Sequence, residues 1–362
     1  MKKPLTSIEP KQTPAQLGFS MPAEWETHEA TWLAWPQNPE TWPGHRMKIV
    51  EDIYLQMLEA LLPHEKVHLL VQDARESEKV LNGLKKKNIS SVQNLLLHEI
   101  PTVDSWIRDY GPTFVTQKGK KAWCKWIFNA WGGKYPTLME DTHIFEPALQ
   151  KAASLISDPC FDAGIILEGG SIEVNGKGTC LVTEQCLLNQ NRNPQFSRED
   201  LNELLKNYLG VSNVLWLHEG IIGDDTDGHI DDIARFVNPT TILATFEDDP
   251  TDENYEILKK NWESLQVMRD QDGKKWNLVK LPMPGKVVDG GRLPASYANF
   301  YIANKTVLVP VYGHHFDDRA IRIIEELFPG RKIVPILCNA MVYGLGAIHC
   351  VSQQEPKIIY SS

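Results

Sequence analysis

A cysteine, a histidine and several carboxylates stand in glycine-punctuated surroundings along this chain. Cys350 closes the run Gly344-Leu345-Gly346-Ala347-Ile348-His349-Cys350. His229 lies in Asp227-Gly228-His229-Ile230-Asp231-Asp232, Asp109 in Trp106-Ile107-Arg108-Asp109-Tyr110-Gly111-Pro112, and Glu168 before Gly169-Gly170. A thiolate attacks electrophilic carbon, an imidazole moves protons, and carboxylates hold a cation. Together they suit a cationic carbon electrophile, such as a guanidinium. If Ile230 faces the core of a strand, His229 and Asp231 share its other face, an acid/base beside a cation clamp. Trp106 could stack on a planar cation or cover its alkyl chain. Each motif has a plainer reading: a buried inert thiol at Cys350, a solvated acidic turn at 224–232, and an Arg108 salt bridge to Asp104 or Asp109. The acidic turn lacks the spacing of a calcium-binding loop. His229, Asp231, His349 and Cys350 lack the compact spacing of a zinc site.

Short β-rich runs alternate with amphipathic helices. Helices are expected over 47–62, 78–87, 197–208, 254–265 and 317–328. Ser197 and Asp200 form a capping pair, and Gly210 a stop. Strands are expected over 67–71, 92–97, 214–217, 233–237, 241–246, 307–311 and 333–337. Asp109, Glu168, His229, Asn299 and Cys350 recur every ~50–70 residues, each beside a strand, which hints at a divergent internal repeat. Spacing alone leaves a closed ring of repeats and an ordinary layered α/β fold equally open. Residues 1–20 read as a loose lead-in, and 21–362 as a single catalytic domain.

The chain has 362 residues, 42% of them hydrophobic and 23% charged, ample for a large core. A net charge of −10 with no long basic run argues against nucleic acid as a partner. Lys85-Lys86-Lys87 reads as a solvated helix face. No apolar stretch is long enough to span a membrane, and no signal-type apolar segment follows Lys2-Lys3, so a cytoplasmic protein is expected. The six cysteines are scattered with no C-x-x-C pair, as reduced thiols are. Cys160, Cys180 and Cys338 read as core residues, whereas Cys124 and Cys186 have no assigned place. Oligomeric state is open, and a homo-oligomer is allowed.

In order along residues 21–356, the segments Met21–Trp25, Trp32–Pro36, Trp106–Phe114, Phe128–Pro136, Leu167–Glu173, Asp224–Asp232, Ala295–Phe300 and Gly344–Gln354 make a specific pattern. The chain resembles the agmatine deiminases, which belong with the bacterial-type peptidylarginine deiminases. The resemblance implies a five-bladed α/β propeller (the pentein fold) of ββαβ repeats around a pseudo-fivefold axis. It implies hydrolysis of agmatine to N-carbamoylputrescine and ammonia through a covalent thiouronium intermediate, without metal or other cofactor, in putrescine metabolism. By resemblance Cys350 is the nucleophile and His229 the acid/base. Asp109 and Asp231 hold the guanidinium, Glu168 orients the histidine, and Trp106 covers the substrate chain. Two departures bear on substrate preference: Ala347 stands where the family commonly has Asn, and Tyr110 where Thr is common.

Agmatine ends in a second cation, so its site needs a distal carboxylate and no Arg. Segment 123–136 carries only Lys125 and Lys134 as bases. Asp225 lies four residues before His229, where the resemblance implies an acidic residue in the agmatine branch, so it is the expected contact, direct or through water, for the distal ammonium. The alternative is a peptidylarginine or free-arginine deiminase with the same chemistry. Ribosome-associated members of the wider superfamily do no guanidine chemistry, but retention of Cys350, His229 and both aspartates argues against that reading.

Overall fold

A computed structural model describes residues 12–89 and 91–358. Among them sixteen strands form five small sheets. The blade closing the ring has the order β16-β1-β2-β3: β1 (His28–Ala34), β2 (Lys66–Val71), β3 (Leu95–Glu99) and the C-terminal β16 (Ser352–Pro356). The second holds β4 (Thr113–Gln117), β5 (Lys120–Ile127) and β6 (Cys160–Ile166), and the third β7 (Glu173–Val174), β8 (Thr179–Thr183) and β9 (Asn213–Leu217). The fourth holds β10 (Ala234–Asn238), β11 (Thr241–Phe246) and β12 (Asn277–Pro282), and the fifth β13 (Tyr301–Ile302), β14 (Thr306–Val311) and β15 (Lys332–Leu337).

Every blade repeats one pairing: two antiparallel strands, joined as a hairpin in four blades and formed by β16 with β1 in the closing one, then a crossover to a parallel strand. Parallel pairing needs such a crossover, which here runs mostly through helices. These are Arg46–Leu61, Arg198–Leu209, Tyr255–Val267 and Asp317–Leu327. Helix Arg46–Leu61 buries Val50, Ile53, Tyr54, Met57, Leu58 and Leu61, an apolar stripe at helical spacing. The Ser197–Asp200 capping box is present, and Gly210 ends its helix at φ 65°. Helices of three blades also reach the sheet before their own: Tyr255–Val267 touches β9, Asp317–Leu327 touches β12, and Arg46–Leu61 touches β14 and β15. The arrangement is a five-bladed α/β propeller, as the resemblance implies.

Three expectations change. Residues 92–94 form a 3-10 turn, and the strand there is β3. Ile230–Asp232 is a 3-10 turn leading into β10, so His229 and Asp231 do not alternate on a strand face. Cys160 is only partly buried, whereas Cys180, Cys338, Cys124 and Cys186 are fully so. Lys85–Lys87 are exposed as expected. Of the lead-in, residues 1–11 lie outside the described residues; Phe19 is buried and Ser20 bridges Thr116. No helix among the described residues is long and apolar enough to cross a membrane.

Candidate active site

The singled-out residues sit at one structural position, the segment leading into one strand of each antiparallel pair. Asp109 precedes β4, Glu168 precedes β7, His229 and Asp231 precede β10, Asn299 precedes β13, and Cys350 precedes β16. A ring of repeats thus gathers one segment per blade at its centre, which is the physical reason for their spacing in sequence.

Cys350 and Asp109 line a cavity of about 440 Å³ together with Trp106, Trp131, Tyr135, Asp225 and Arg292, among others. The Cys350 Sγ lies 3.1 Å from the Asn299 amide nitrogen and 3.8 Å from Asp231 Oδ2. Asn299 Oδ1 accepts from the backbone N–H groups of His349 and Cys350, fixing the turn that carries the thiol. Asp109 accepts from Gly170 N at 2.9 Å and from the Trp131 indole at 2.8 Å. Aiming that indole takes backbone strain, since Ala130 and Trp131 both adopt φ 52°.

His229 is buried, with its Nδ1 3.8 Å from Asp109 Oδ1. Its backbone N–H is held by Asp224 and Thr226, but neither ring nitrogen has a hydrogen-bond partner. A methyl group built on Gly170 would lie 2.5 Å from His229 Nδ1 and 2.9 Å from Asp109 Oδ1, so only glycine fits there. Glu168 is bound to Arg192 Nε at 2.6 Å, and Arg192 also pairs with Asp227 at 2.9 Å. Glu168 comes within 4.8 Å of the imidazole but makes no hydrogen bond to it. Its link to His229 is therefore through Arg192 and the 226–229 backbone. Trp106 packs edge-on to Trp131, with its ring against Gly346. Asp225 accepts from the Tyr135 hydroxyl at 2.5 Å.

Negative groups dominate the site. Burial, then repulsion from Asp231 and Glu168, raises Asp109 well above the usual carboxylate range. Asp232 is raised well above it by burial and by Asp231 and Asp224. Burial also lifts the Cys350 thiol, with Asp231, Asp232 and Asp109 adding to it. Burial would raise Asp231 too, but the His349 hydrogen bond and charge bring it below its ordinary value. Burial pushes His229 down to about 4 against the pull of Asp231. The one basic side chain among the described residues lining the cavity is Arg292, tied to Asp252 at 2.8 Å. Lys125 and Lys134 turn to Glu146 and Asp227 instead. Such a pocket is built to receive a cation.

Residues 20–356 match the model of the Porphyromonas-type peptidyl-arginine deiminases. The chain belongs to that family. A relative from Selenomonas ruminantium that carries the provisional name agmatine deiminase is 37% identical, over 96% of this chain and 98% of its own. The structure of an agmatine deiminase from Enterococcus faecalis superposes with a TM-score of 0.86 at 33% identity, covering 96% of this chain and 98% of that one. An agmatine deiminase from C. jejuni with substrate bound gives 0.80 at 29% identity, covering 94% and 97%.

Of the sequence-derived candidates, Cys350, Asp109, Trp106 and Asp225 line the cavity, and His229, Asp231 and Glu168 stand behind its floor. Sequence reasoning missed Trp131, Arg192 and Asp232, and used Asn299 only as a spacing landmark. Trp131 lies inside a quoted motif, whereas Arg192 lies outside all of them. Tyr110 faces the core and donates to Asp104 O, and neither it nor Ala347 lines the cavity.

Proposed function

We propose that this member of the family hydrolyses agmatine to N-carbamoylputrescine and ammonia. The observation that carries the proposal is a thiol at the base of a cavity, set among buried carboxyls of which Asp109 and Asp232 pair with no Lys or Arg cation among the described residues. A guanidinium would supply that positive charge. Asp109 and Asp231 would then take up its N–H groups and fix its carbon for attack. The same charge would draw the proton from Cys350 and favour the thiolate.

In this reading Cys350 Sγ bonds to the guanidinium carbon and gives a tetrahedral adduct. His229, whose ring nitrogens make no hydrogen bond in the protein, takes up the proton that Cys350 releases and passes it to the departing nitrogen, and ammonia leaves. A thiouronium remains on Cys350. His229 then takes a proton from water, whose oxygen adds to the same carbon. The C–S bond breaks, the ureido product departs, and the thiol is restored. The carboxylates hold positive charge in both halves of the reaction. Glu168 acts on His229 through Arg192 and Asp227 rather than by direct contact. Trp106 and Trp131 would flank the alkyl chain, and Asp225 would meet the distal ammonium.

Free arginine is the second reading. Arg292 Nη2 is buried beside the cavity without a hydrogen-bond partner, where it could meet a substrate carboxylate. The test is ammonia and ureido product from agmatine, free arginine and a peptidylarginine. Agmatine should be turned over, Cys350→Ser should abolish turnover, and Asp225→Asn should raise KM for agmatine by about 10-fold or more. Preference for arginine with Asp225→Asn neutral would select the second reading. No turnover of any guanidine would overturn both.

A further inference from the structure

His349 precedes the candidate nucleophile in sequence, yet its side chain turns away from the cavity. Its Nδ1 lies 2.7 Å from Asp231 Oδ2 and its Nε2 2.8 Å from Glu24 Oε2, with the ring 1% exposed. Glu24 Oε2 is 3.0 Å from Arg235 Nη2 and 3.6 Å from Arg108 Nη2, and Glu24 Oε1 accepts from Ile302 N. Arg235 pairs in turn with Glu173 at 3.0 Å and donates to the carbonyls of Ala298 and Phe300. Arg108 donates to Gln354 and to the carbonyl of His349. Groups from all five blades thus meet in one buried polar cluster.

We propose that His349 is a positioning residue: by bridging Asp231 to Glu24, it aims the guanidinium-holding carboxylate and ties it to the centre of the ring. The proposal rests on the functional reading for the role of Asp231, but the bridge itself does not. Glu24 is held well below the usual carboxylate range: burial opposes this, and Arg235 and His349 outweigh it. Two ionised carboxylates facing the two ring nitrogens require the ring to donate at both. The bridge uses the one Asp231 oxygen that also faces the thiol, while Oδ1 has no protein partner. That leaves Asp231 Oδ1 without a protein hydrogen bond, just behind the cavity floor. A lone buried carboxylate would lose both charge and direction without such a support.

Asp231 also faces His229, Cys350, Asp232, Asp109 and, more distantly, Arg235 and Asp224. Apart from His229 and Arg235, these neighbours are acidic, so loss of the His349 hydrogen bond would raise the Asp231 carboxyl. Cation binding needs that carboxylate ionised. His349→Asn should therefore move the acid limb of kcat/KM to higher pH, and raise KM at pH 6 more than at pH 8. At pH 8 kcat/KM should fall about 10–100-fold, the scale for a lost charged hydrogen bond. Glu24→Gln keeps the Asp231 arm and should give a smaller change of the same sign.

A purely structural role would lower the thermal midpoint of His349→Asn and leave the pH profile of the folded enzyme unmoved, and this would overturn the proposal. Should His349→Asn fail to fold, ¹⁵N-histidine NMR of the unaltered protein still decides. Two hydrogen-bonded ring N–H protons are expected on His349, one of them lost in Asp231→Asn. A single ring N–H proton would refute the bridge. Absence of guanidine turnover by the unaltered enzyme would instead count against the functional reading and leave the NMR result standing.

Discussion

Burial works against Cys350 while the cavity is empty. Desolvation and three neighbouring carboxyls hold its thiol above the ordinary range, so the free enzyme carries little thiolate at neutral pH. A raised thiol pKa means that thiolate appears only as pH climbs toward that pKa. A neutral alkylating agent should therefore react slowly at pH 7, faster as pH rises. A haloacetamidine, which brings its own positive charge, should exceed the neutral haloacetamide by ~10-fold or more at pH 7, after correction against a free thiol. Equal corrected rates would remove substrate-assisted activation. Cys350, His229 and Asp109 were legible because their side chains carry chemistry whatever surrounds them. Asn299 and Arg192 were not, because an amide and a guanidinium gain meaning only from what they touch. The place of Asp225 at the cavity followed from the family resemblance, whereas the unpartnered Arg292 nitrogen had no signal in the sequence.

At the scale of elements, the helices and central strands followed from apolar spacing, while the segments bearing the site did not. The run Gly228–Asp232 alternates as a strand would, but Asp224 accepts from the Gly228 and His229 N–H groups and folds the chain into a turn instead. Gly170 shows how tightly such turns are packed. It faces His229, Asp109 and Asp231 together, within 3.1 Å of a built methyl carbon. Its φ is not in the left-handed region, so alanine is excluded by space and not by backbone conformation. We predict that Gly170→Ala leaves the far-ultraviolet spectrum intact and lowers kcat for agmatine by about 10²-fold, since small displacements of reacting groups are costly. Gly164→Ala, away from the site with nothing within 4 Å of its methyl but with φ at 64°, is the control for backbone strain without crowding. Activity preserved in Gly170→Ala would mean that the histidine and carboxylates need not hold these positions.

For the whole molecule, the question is how a chain of repeats becomes a closed ring. The ring-fold choice was not decided by spacing: it came from the ordered motifs, because sequence intervals do not reveal which strand completes the first blade. That strand is β16, pairing antiparallel with β1 from Leu33–Ser352 to His28–Pro356. The nucleophile turn immediately precedes it, so closing the ring and placing Cys350 are one event. Glu355 fastens the closure, accepting from the Trp32 indole at 2.7 Å and pairing with Lys121 on β5. Lys121 is itself buried, with Asp158 at 3.5 Å as its remaining acidic partner. Removing Glu355 leaves Lys121 only its longer Asp158 contact, so the cost should approach but stay below the roughly 3–5 kcal/mol of a fully stranded buried charge. We predict that Glu355→Ala lowers the urea midpoint accordingly, with loss of agmatine turnover coinciding with loss of secondary structure. Glu355→Gln, which retains an acceptor for Trp32, should lose less. If turnover disappeared at urea concentrations where the secondary structure persisted, the site could open without the ring, and the two would not be one cooperative unit.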